Sequence, residues 1–259
     1  MILDDIAEYT KERVQALKKQ KSLYAVRDEA EGRPEGKNFK EALARTGLSV
    51  IAELKKASPS KGIIAPDFEQ IYLQKASEYE AGGAAAISCL TEPKFFLGSD
   101  EYLKAVRKAV ELPILRKDFT VDEYQLYEAK NIGADAVLLI CSLLSTAQLQ
   151  EYLCQAHELG LSALVEAHDA EEVQAALAVG AEIIGVNNRN LKDFSVNPLN
   201  SLRLREAIPK EKIFVAESGI QKAGDTAGLK AAGVQAVLVG EALMRSQNVA
   251  AMLREMRGE

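Results

Sequence analysis

EAGGAAAISCL (80–90), KNIGADAVLLI (130–140), HELGLSALVEA (157–167), LAVGAEIIGVN (177–187) and KAAGVQAVLVG (230–240) repeat one pattern. Each closes a helix-like stretch, turns on a glycine suited to the left-handed helix-ending conformation, and runs into a short apolar segment. The apolar segments are continuous rather than alternating, which fits parallel strands covered on both faces. LSVIAEL (48–54), LPILRKDF (112–119) and KIFVAES (212–218) complete a set of eight, with strands beginning near residues 48, 84, 112, 136, 162, 182, 212 and 235. Each interval holds one helix and two short turns, as in FEQIYLQKASEYEAG (68–82) and AQLQEYLCQAHELG (147–160).

Eight such βα units argue for a closed (β/α)8 TIM barrel. An open doubly wound sheet would carry a GxGxxG turn after its first strand, and the chain has none. Residues 1–47 read as one long amphipathic helix, a polar loop EAEGRPEGKN (29–38) and a short helix. They are expected to cap the barrel, so that residues 1–259 form a single barrel domain with an N-terminal extension.

Composition narrows the function classes. The 32 basic and 38 acidic side chains give a net charge of -6, evenly spread, so the chain lacks the basic footprint that nucleic acid requires. The longest apolar runs, such as AVLLI (136–140), fall far short of a bilayer span, so no membrane role is expected. The start MILDDIAEYTKERV is acidic and amphipathic rather than signal-like, and a cytoplasmic setting is expected. Cys89, Cys141 and Cys154 show no CxxC spacing, and Cys89 and Cys141 sit in or beside apolar runs, where a thiol is a small buried hydrophobe. With His157 and His168 they make no metal-ligand cluster, so no metal is expected.

A TIM barrel builds its active site where the strands end. The first strand runs into Glu53, Lys55, Lys56 and Ser58, the third into Arg116, Lys117 and Asp118, and the fifth into Glu166. The sixth ends in Asn187, Asn188 and Arg189, the seventh in Glu217, Ser218 and Gly219, and the eighth in Gly240 and Glu241. These groups are expected to converge on one rim, where Lys55, Lys117 and Arg189 would gather around an anionic substrate. Enclosed lysines and glutamates are costly unless paired, and pairing shifts them toward acid–base use. SGI (218–220) and VGEAL (239–243) each place small residues before an expected helix, the usual phosphate cradle of such barrels. Glu241 would repel a phosphate, so its carboxylate should point away.

The segments AELKKASPSKG (52–62), CLTEPKFFLGS (89–99), PILRKDFTVDEYQ (113–125), GADAVLLI (133–140), LVEAHD (164–169), IGVNNRNL (184–191), VAESGI (215–220) and VGEALM (239–244) together resemble the indole-3-glycerol phosphate synthase family. The resemblance is collinear from about residue 49 to 246 and extends to the length and character of the N-terminal segment. It implies a cofactor-free, metal-free lyase acting on 1-(2-carboxyphenylamino)-1-deoxyribulose 5-phosphate, a phosphosugar, with loss of CO2 and water.

By the same resemblance Lys117 is the acid for ring closure and Glu166 the general base. Lys55 stands near the substrate carboxylate and the dehydration step, while Glu53 and Asn187 orient and polarise these groups. Arg189, Glu217 and Ser218 contact substrate, and Ser58, Gly219 and Gly240 hold phosphate. Phe96, Phe119 and Leu138 form the slot for the anthranilate ring. His168 is expected to be an exposed loop residue. Gly224 and Gly228 should weaken the helix after the seventh strand, and Glu241 replaces a serine found in some relatives. A monomer is expected, with association with other tryptophan-pathway enzymes left open. Three alternatives remain: a Schiff-base lyase using Lys117, a related phosphosugar isomerase, and a non-catalytic phosphosugar-binding barrel.

Overall fold

The computed structural model describes residues 2–190 and 194–259. Eight parallel strands form the barrel: β1 Ser49–Leu54, β2 Ala86–Leu90, β3 Ile114–Lys117, β4 Ala136–Ile140, β5 Ser162–Ala167, β6 Ile183–Asn187, β7 Ile213–Glu217 and β8 Ala236–Val239. Each pairs with its neighbour in chain order, and β8 returns to β1 through Ser49↔Ala236 to Ala52↔Val239, so no edge is left open. Around them run α4 Phe68–Ala81, α5 Asp100–Ala109, α6 Tyr124–Ile132, α7 Thr146–Glu158, α8 Ala170–Ala178, α9 Asn200–Leu204, α10 Gly224–Ala231, α11 Glu241–Arg245 and α12 Val249–Arg257. No helix among the described residues is long and apolar enough to cross a membrane.

The strand period of two sorts side chains between two apolar clusters. Val50, Ala52 and Leu54 of β1, Val137 and Leu139 of β4, and Phe214 and Ala216 of β7 face the helices. Ile51, Leu115, Leu164 and Val215 face the lumen and pack on Leu138 and Leu238. The lumen is therefore layered, with four side chains per layer drawn from alternate strands. Two residues beyond Ile51, Leu115, Leu164 and Val215, the same odd strands place Glu53, Lys117, Glu166 and Glu217 in one charged layer. Above it lie Leu90, Ile140, Asn187 and Gly240 of the even strands.

The intervening residues turn outward. Arg116, expected on the rim, is instead buried between β3 and the helices. Its guanidinium donates to Asp100 (2.9 Å), Glu128 (2.6 Å), Thr91 Oγ1 (3.1 Å) and the Gln125 carbonyl (3.0 Å). Cys89 is buried as expected, whereas Cys141 is only half-buried, because it opens a 3-10 turn after β4 instead of completing the strand.

The N-terminal extension touches both ends of the barrel. It holds three helices, α1 Ile2–Gln20, α2 Leu23–Glu31 and α3 Phe39–Leu43, in place of one long helix and a short one. The break falls at Ser22, whose hydroxyl accepts from Ala25 N (3.2 Å) and caps α2, and helix continues into the expected polar loop as far as Glu31. At the C-terminal ends of the strands, α1 buries Ile6 and ties Arg13 to Asp118 (2.8 Å) and Lys18 to Asp122 (2.7 Å). At the opposite end, α3 presses Phe39 and Leu43 onto the lumen cluster, and Ser49 Oγ donates to the Leu43 carbonyl (3.1 Å).

Two other expectations change. Gly224 and Gly228 both lie in α10 as expected, but Gly224 is its first residue, so the helix-interior glycine penalty falls on Gly228 alone. That helix begins five residues after Gly219, so SGI does not abut a helix, whereas Gly240 does stand directly before α11. A small antiparallel hairpin, Ala57–Ser58 with Gly62–Ile63, follows β1 and was not anticipated.

Because Phe39 is wholly buried against the lumen, Phe39→Ala should lower unfolding free energy by about 3–5 kcal/mol. A fall in the urea midpoint with unchanged slope would register it, and a loss below about 1 kcal/mol would show that α3 contributes little to the core.

Candidate active site

All fourteen residues to which the resemblance gives a role line one cleft at the C-terminal ends of the strands, with an empty volume of about 1010 Å³ counted to its open mouth, whereas Lys56, Arg116 and Asn188, also expected on the rim, do not line it. Its floor is the charged layer. Lys117 Nζ donates to Glu217 Oε2 (3.2 Å) and Glu166 Oε2 (3.3 Å). Glu166 Oε1 accepts from Asn187 Nδ2 (3.1 Å), and Asn187 Oδ1 accepts from Arg189 N (2.9 Å). Glu53 is paired with Lys55.

This arrangement sets the protonation states. Burial alone would lower the Lys117 pKa, but the Glu217 and Glu166 carboxylates hold it above the ordinary lysine value, so it stays an ammonium. Burial pushes Glu166 up, yet Lys117, His168 and the Asn187 hydrogen bond together bring it below the usual carboxylate range. Glu217 goes the other way: burial and the Glu166 charge outweigh Lys117, and its pKa is pushed up to about 7. Burial is the larger cause, and the charge count adds to it, since Lys55 takes Glu53 and two carboxylates are left sharing Lys117.

Two glycines make room for these carboxylates. A Cβ on Gly185 would sit 2.2 Å from Glu217 Oε1, and one on Gly240 would sit 2.2 Å from Glu53 Oε2 and 2.8 Å from Lys55 Nζ. Gly240, singled out for phosphate, is thus also required by the Glu53–Lys55 pair. Gly185 was missed, although a lone glycine inside an apolar strand run does signal close approach of another group.

At the other end of the cleft, Ser218 (φ 66°) and Gly219 (φ 82°) both adopt left-handed backbone. Among the described residues, the N–H groups of Gly219, Ile220, Gly240 and Glu241 donate to no protein acceptor. Ser58 Oγ lies 3.4 Å from Ser60 Oγ on the hairpin nearby. The Glu241 carboxylate is engaged by Arg245 Nε at 3.2 Å. Arg189 donates to the Phe194 carbonyl (3.0 Å), and burial lowers its pKa from the ordinary arginine value. Leu191, the last residue of the IGVNNRNL segment, lies outside the described residues. Lys55 and Lys117 are therefore not free cations awaiting an anion, since each already holds a carboxylate.

The third wall is apolar. Phe96 and Phe119 meet at 5.8 Å with their planes tilted by 38°, beside Leu138 and Ile140. Phe96 is presented by a loop wrapped around Glu92, a fully buried carboxylate that accepts from the N–H groups of Lys94 (3.0 Å), Phe95 (2.7 Å) and Phe96 (2.9 Å). Glu92 was not singled out, and its sequence setting, TEP before two phenylalanines, reads as an ordinary turn. His168 corrects an expectation outright. Its side chain is only 17% exposed and lies between Glu166 and Glu172, because α8 folds back over the end of β5. Among the described residues no group of three His, Cys, Asp or Glu side chains is placed to hold a metal ion.

Comparison with known proteins agrees with this geometry. The family profile described as indole-3-glycerol phosphate synthase matches residues 3–256. A protein of that name from Ruminiclostridium cellulolyticum is 55% identical over 261 residues, covering 100% of this chain and 99% of its own length. Another, from Endomicrobium trichonymphae, is 54% identical over 259 residues, covering 99% of this chain and 100% of its own. Among solved structures, 3-hexulose-6-phosphate synthase from Salmonella typhimurium superposes with a TM-score of 0.64 at 16% identity, over 82% of this chain and 97% of its own, a likeness of fold alone.

Two outcomes follow from the packing around Glu217. Gly185→Ala should fold but lose at least about 10-fold in turnover, because its methyl displaces Glu217 from Lys117. Unchanged kcat would refute that displacement. Glu217 has a folded pKa above its unfolded one, so between pH about 4.5 and 7 the native state holds more protons and this residue's contribution to stability falls as pH rises. Denaturation of wild type and Glu217→Gln at pH 5 and pH 7.5 should therefore show the wild type losing ground to the variant at the higher pH.

Proposed function

The chain belongs to the indole-3-glycerol phosphate synthase family, and on that footing we propose how its cleft carries out ring closure, decarboxylation and dehydration of 1-(2-carboxyphenylamino)-1-deoxyribulose 5-phosphate. The activity is that of a carboxy-lyase of tryptophan biosynthesis. The observation that carries the assignment of roles is a largely enclosed ammonium, Lys117, between two carboxylates at the floor of a cleft with one apolar wall and one wall of free N–H groups.

In this reading the anthranilate ring lies against Phe96, Phe119 and Leu138. The phosphate takes the N–H groups of Gly219 and Gly240 with the Ser58 hydroxyl. The ribulose carbonyl then falls over the charged layer. Lys117 protonates that oxygen as the aryl carbon attacks the carbonyl carbon, and the new bond turns the carbonyl into a tertiary hydroxyl. Loss of CO2 returns the electron pair to the ring and restores aromaticity. Lys55 then protonates the departing hydroxyl while Glu166 takes a proton from the adjacent ring carbon, leaving indole-3-glycerol phosphate and water. Glu53 and Asn187 hold Lys55 and Glu166 in place, and Arg189, Glu217 and Ser218 complete the contacts to substrate.

Two protons are given and one received, so each turnover consumes one proton, matching the ionised carboxylate that leaves as neutral CO2. The proposal needs no cofactor and no metal, and treats the chain as a monomer with residues 1–47 capping a single barrel domain. Schiff-base chemistry at Lys117 is disfavoured by the same geometry. A nucleophilic lysine must be neutral, and two carboxylates hold this one protonated.

Mixing the protein with the carboxyphenylamino-deoxyribulose phosphate should generate indole fluorescence, and no product would overturn the assignment. Lys117→Ala should lose about 10²-fold or more in turnover while retaining phosphate-dependent substrate binding. Near-normal turnover would remove Lys117 from the role of acid.

A further inference from the structure

His168 has no part in the chemistry above, yet it stands against the base. Its own N–H donates to Glu172 Oε2 (2.7 Å), and its Nδ1 lies 3.1 Å from the same oxygen. Its Nε2 is buried, makes no hydrogen bond, and lies 3.5 Å from Glu166 Oε1. Asn200 Nδ2 donates to the His168 carbonyl (3.0 Å) and fixes the backbone from α9. On its far side the imidazole borders a second, polar groove lined by Ser142, Asp169 and Glu172. Glu166 is thus held at both ends, with Oε2 on Lys117 and Oε1 between Asn187 and His168.

An imidazole between two carboxylates has restricted options. With Nδ1–H directed at Glu172, the Nε2 edge facing Glu166 either carries a proton or accepts one that Glu166 has gained. In the first state a cation faces the base, and in the second the proton has moved onto the carboxylate. The charged groups around the ring are Glu166 on β5, Asp169 and Glu172 at the start of α8, Glu217 across the lumen on β7, and Arg189 from the loop after β6, which lines the same polar groove. Burial works against the imidazolium, but Glu172, Glu166 and Glu217 outweigh it and hold the His168 pKa above the ordinary histidine value.

We infer that His168, backed by Glu172, is a positioning residue that orients the Glu166 carboxylate and sets its basicity from outside the substrate cleft. The inference rests on Glu166 being the base in the proposed reaction. Glu172 makes no hydrogen bond to Glu166 and does not itself line the substrate cleft, so its effect on turnover passes through His168, whose backbone N–H and imidazole it holds.

The test is steady-state indole formation against pH by the full-length protein, as wild type, His168→Asn, Glu172→Gln and the double variant. His168→Asn is expected to lower kcat about 10-fold with KM unchanged. Loss of the facing cation makes Glu166 easier to protonate, so the low-pH limb of kcat should move up by about one unit. Glu172→Gln should shift kcat and the limb in the same direction by a smaller amount, and the double variant should be no worse than His168→Asn alone. Turnover of His168→Asn within twofold of wild type, a loss carried in KM with the limb unmoved, or additive effects of the two substitutions would each overturn the inference. Should His168→Asn fail to fold, Glu172→Gln decides alone, and an unmoved limb there overturns it. A wild type that forms no indole product would instead bring down the proposed reaction itself.

Discussion

An ammonium group buried in a protein is tolerated only where opposite charge and hydrogen-bond acceptors meet it, because leaving water unpaired costs several kcal/mol per ion. Lys117 satisfies that condition with two carboxylates at 3.2 and 3.3 Å, and both come from strands that are not its neighbours in the sheet. β3, β5 and β7 reach one another only across the lumen. Closure of the barrel and neutralisation of its charged layer are therefore one requirement. An open sheet of the same strands would break both ion pairs of Lys117.

The same layer explains the imbalance in the cleft. Three of its four side chains are acids, and Lys55, reaching in from beyond β1, removes one of them by pairing with Glu53. The remaining surplus falls on Glu217, whose Oε1 is buried without a hydrogen bond and whose proton affinity rises accordingly. In the proposed binding mode a doubly charged phosphate thus meets lysines that are already paired. Attraction at that end falls to backbone dipoles at Gly219, Ile220, Gly240 and Glu241, which carry partial positive charge without a counterion. The net charge of -6 describes neither end, since it sums an outer surface that the substrate never meets.

How much of this was legible in the sequence depends on what each residue needs in order to show itself. The strands showed because burial on both faces leaves an unbroken apolar run. Glu53, Lys117, Glu166 and Glu217 showed because each interrupts such a run at its end. Arg116 was misplaced because a run apolar on both faces hides which neighbour points inward, and only register with β2 and β4 decides it. Gly185, Glu92 and His168 have roles made by groups distant in the chain or by a loop folding back, and no local pattern encodes such a meeting. The break at Ser22 lay within reach, since a serine before an apolar stretch is an ordinary helix start.

RKDF (116–119) concentrates the argument in four residues. Alternation sends Arg116 outward to Asp100 and Glu128, and Lys117 inward to Glu166 and Glu217. Asp118, past the strand end, accepts from Arg13 of α1 and from Thr91 Oγ1 (2.7 Å), while its Oδ1 also takes the Phe119 N–H (2.8 Å). Phe119 then meets Phe96 in the apolar wall of the cleft. One strand end thus carries the proposed acid, half of the apolar wall and the anchor for the N-terminal extension, with an ion-pair network on each side of Lys117. Loss of the Arg13 guanidinium would take the contacts at 2.8 and 2.9 Å from Asp118 and leave it Arg116 at 3.7 Å, Thr91 Oγ1 and the Phe119 N–H. Displacement of α1 would therefore be felt at Asp118 and through it by Lys117 and Phe119 together, which makes the extension part of the positioning apparatus as well as a cover.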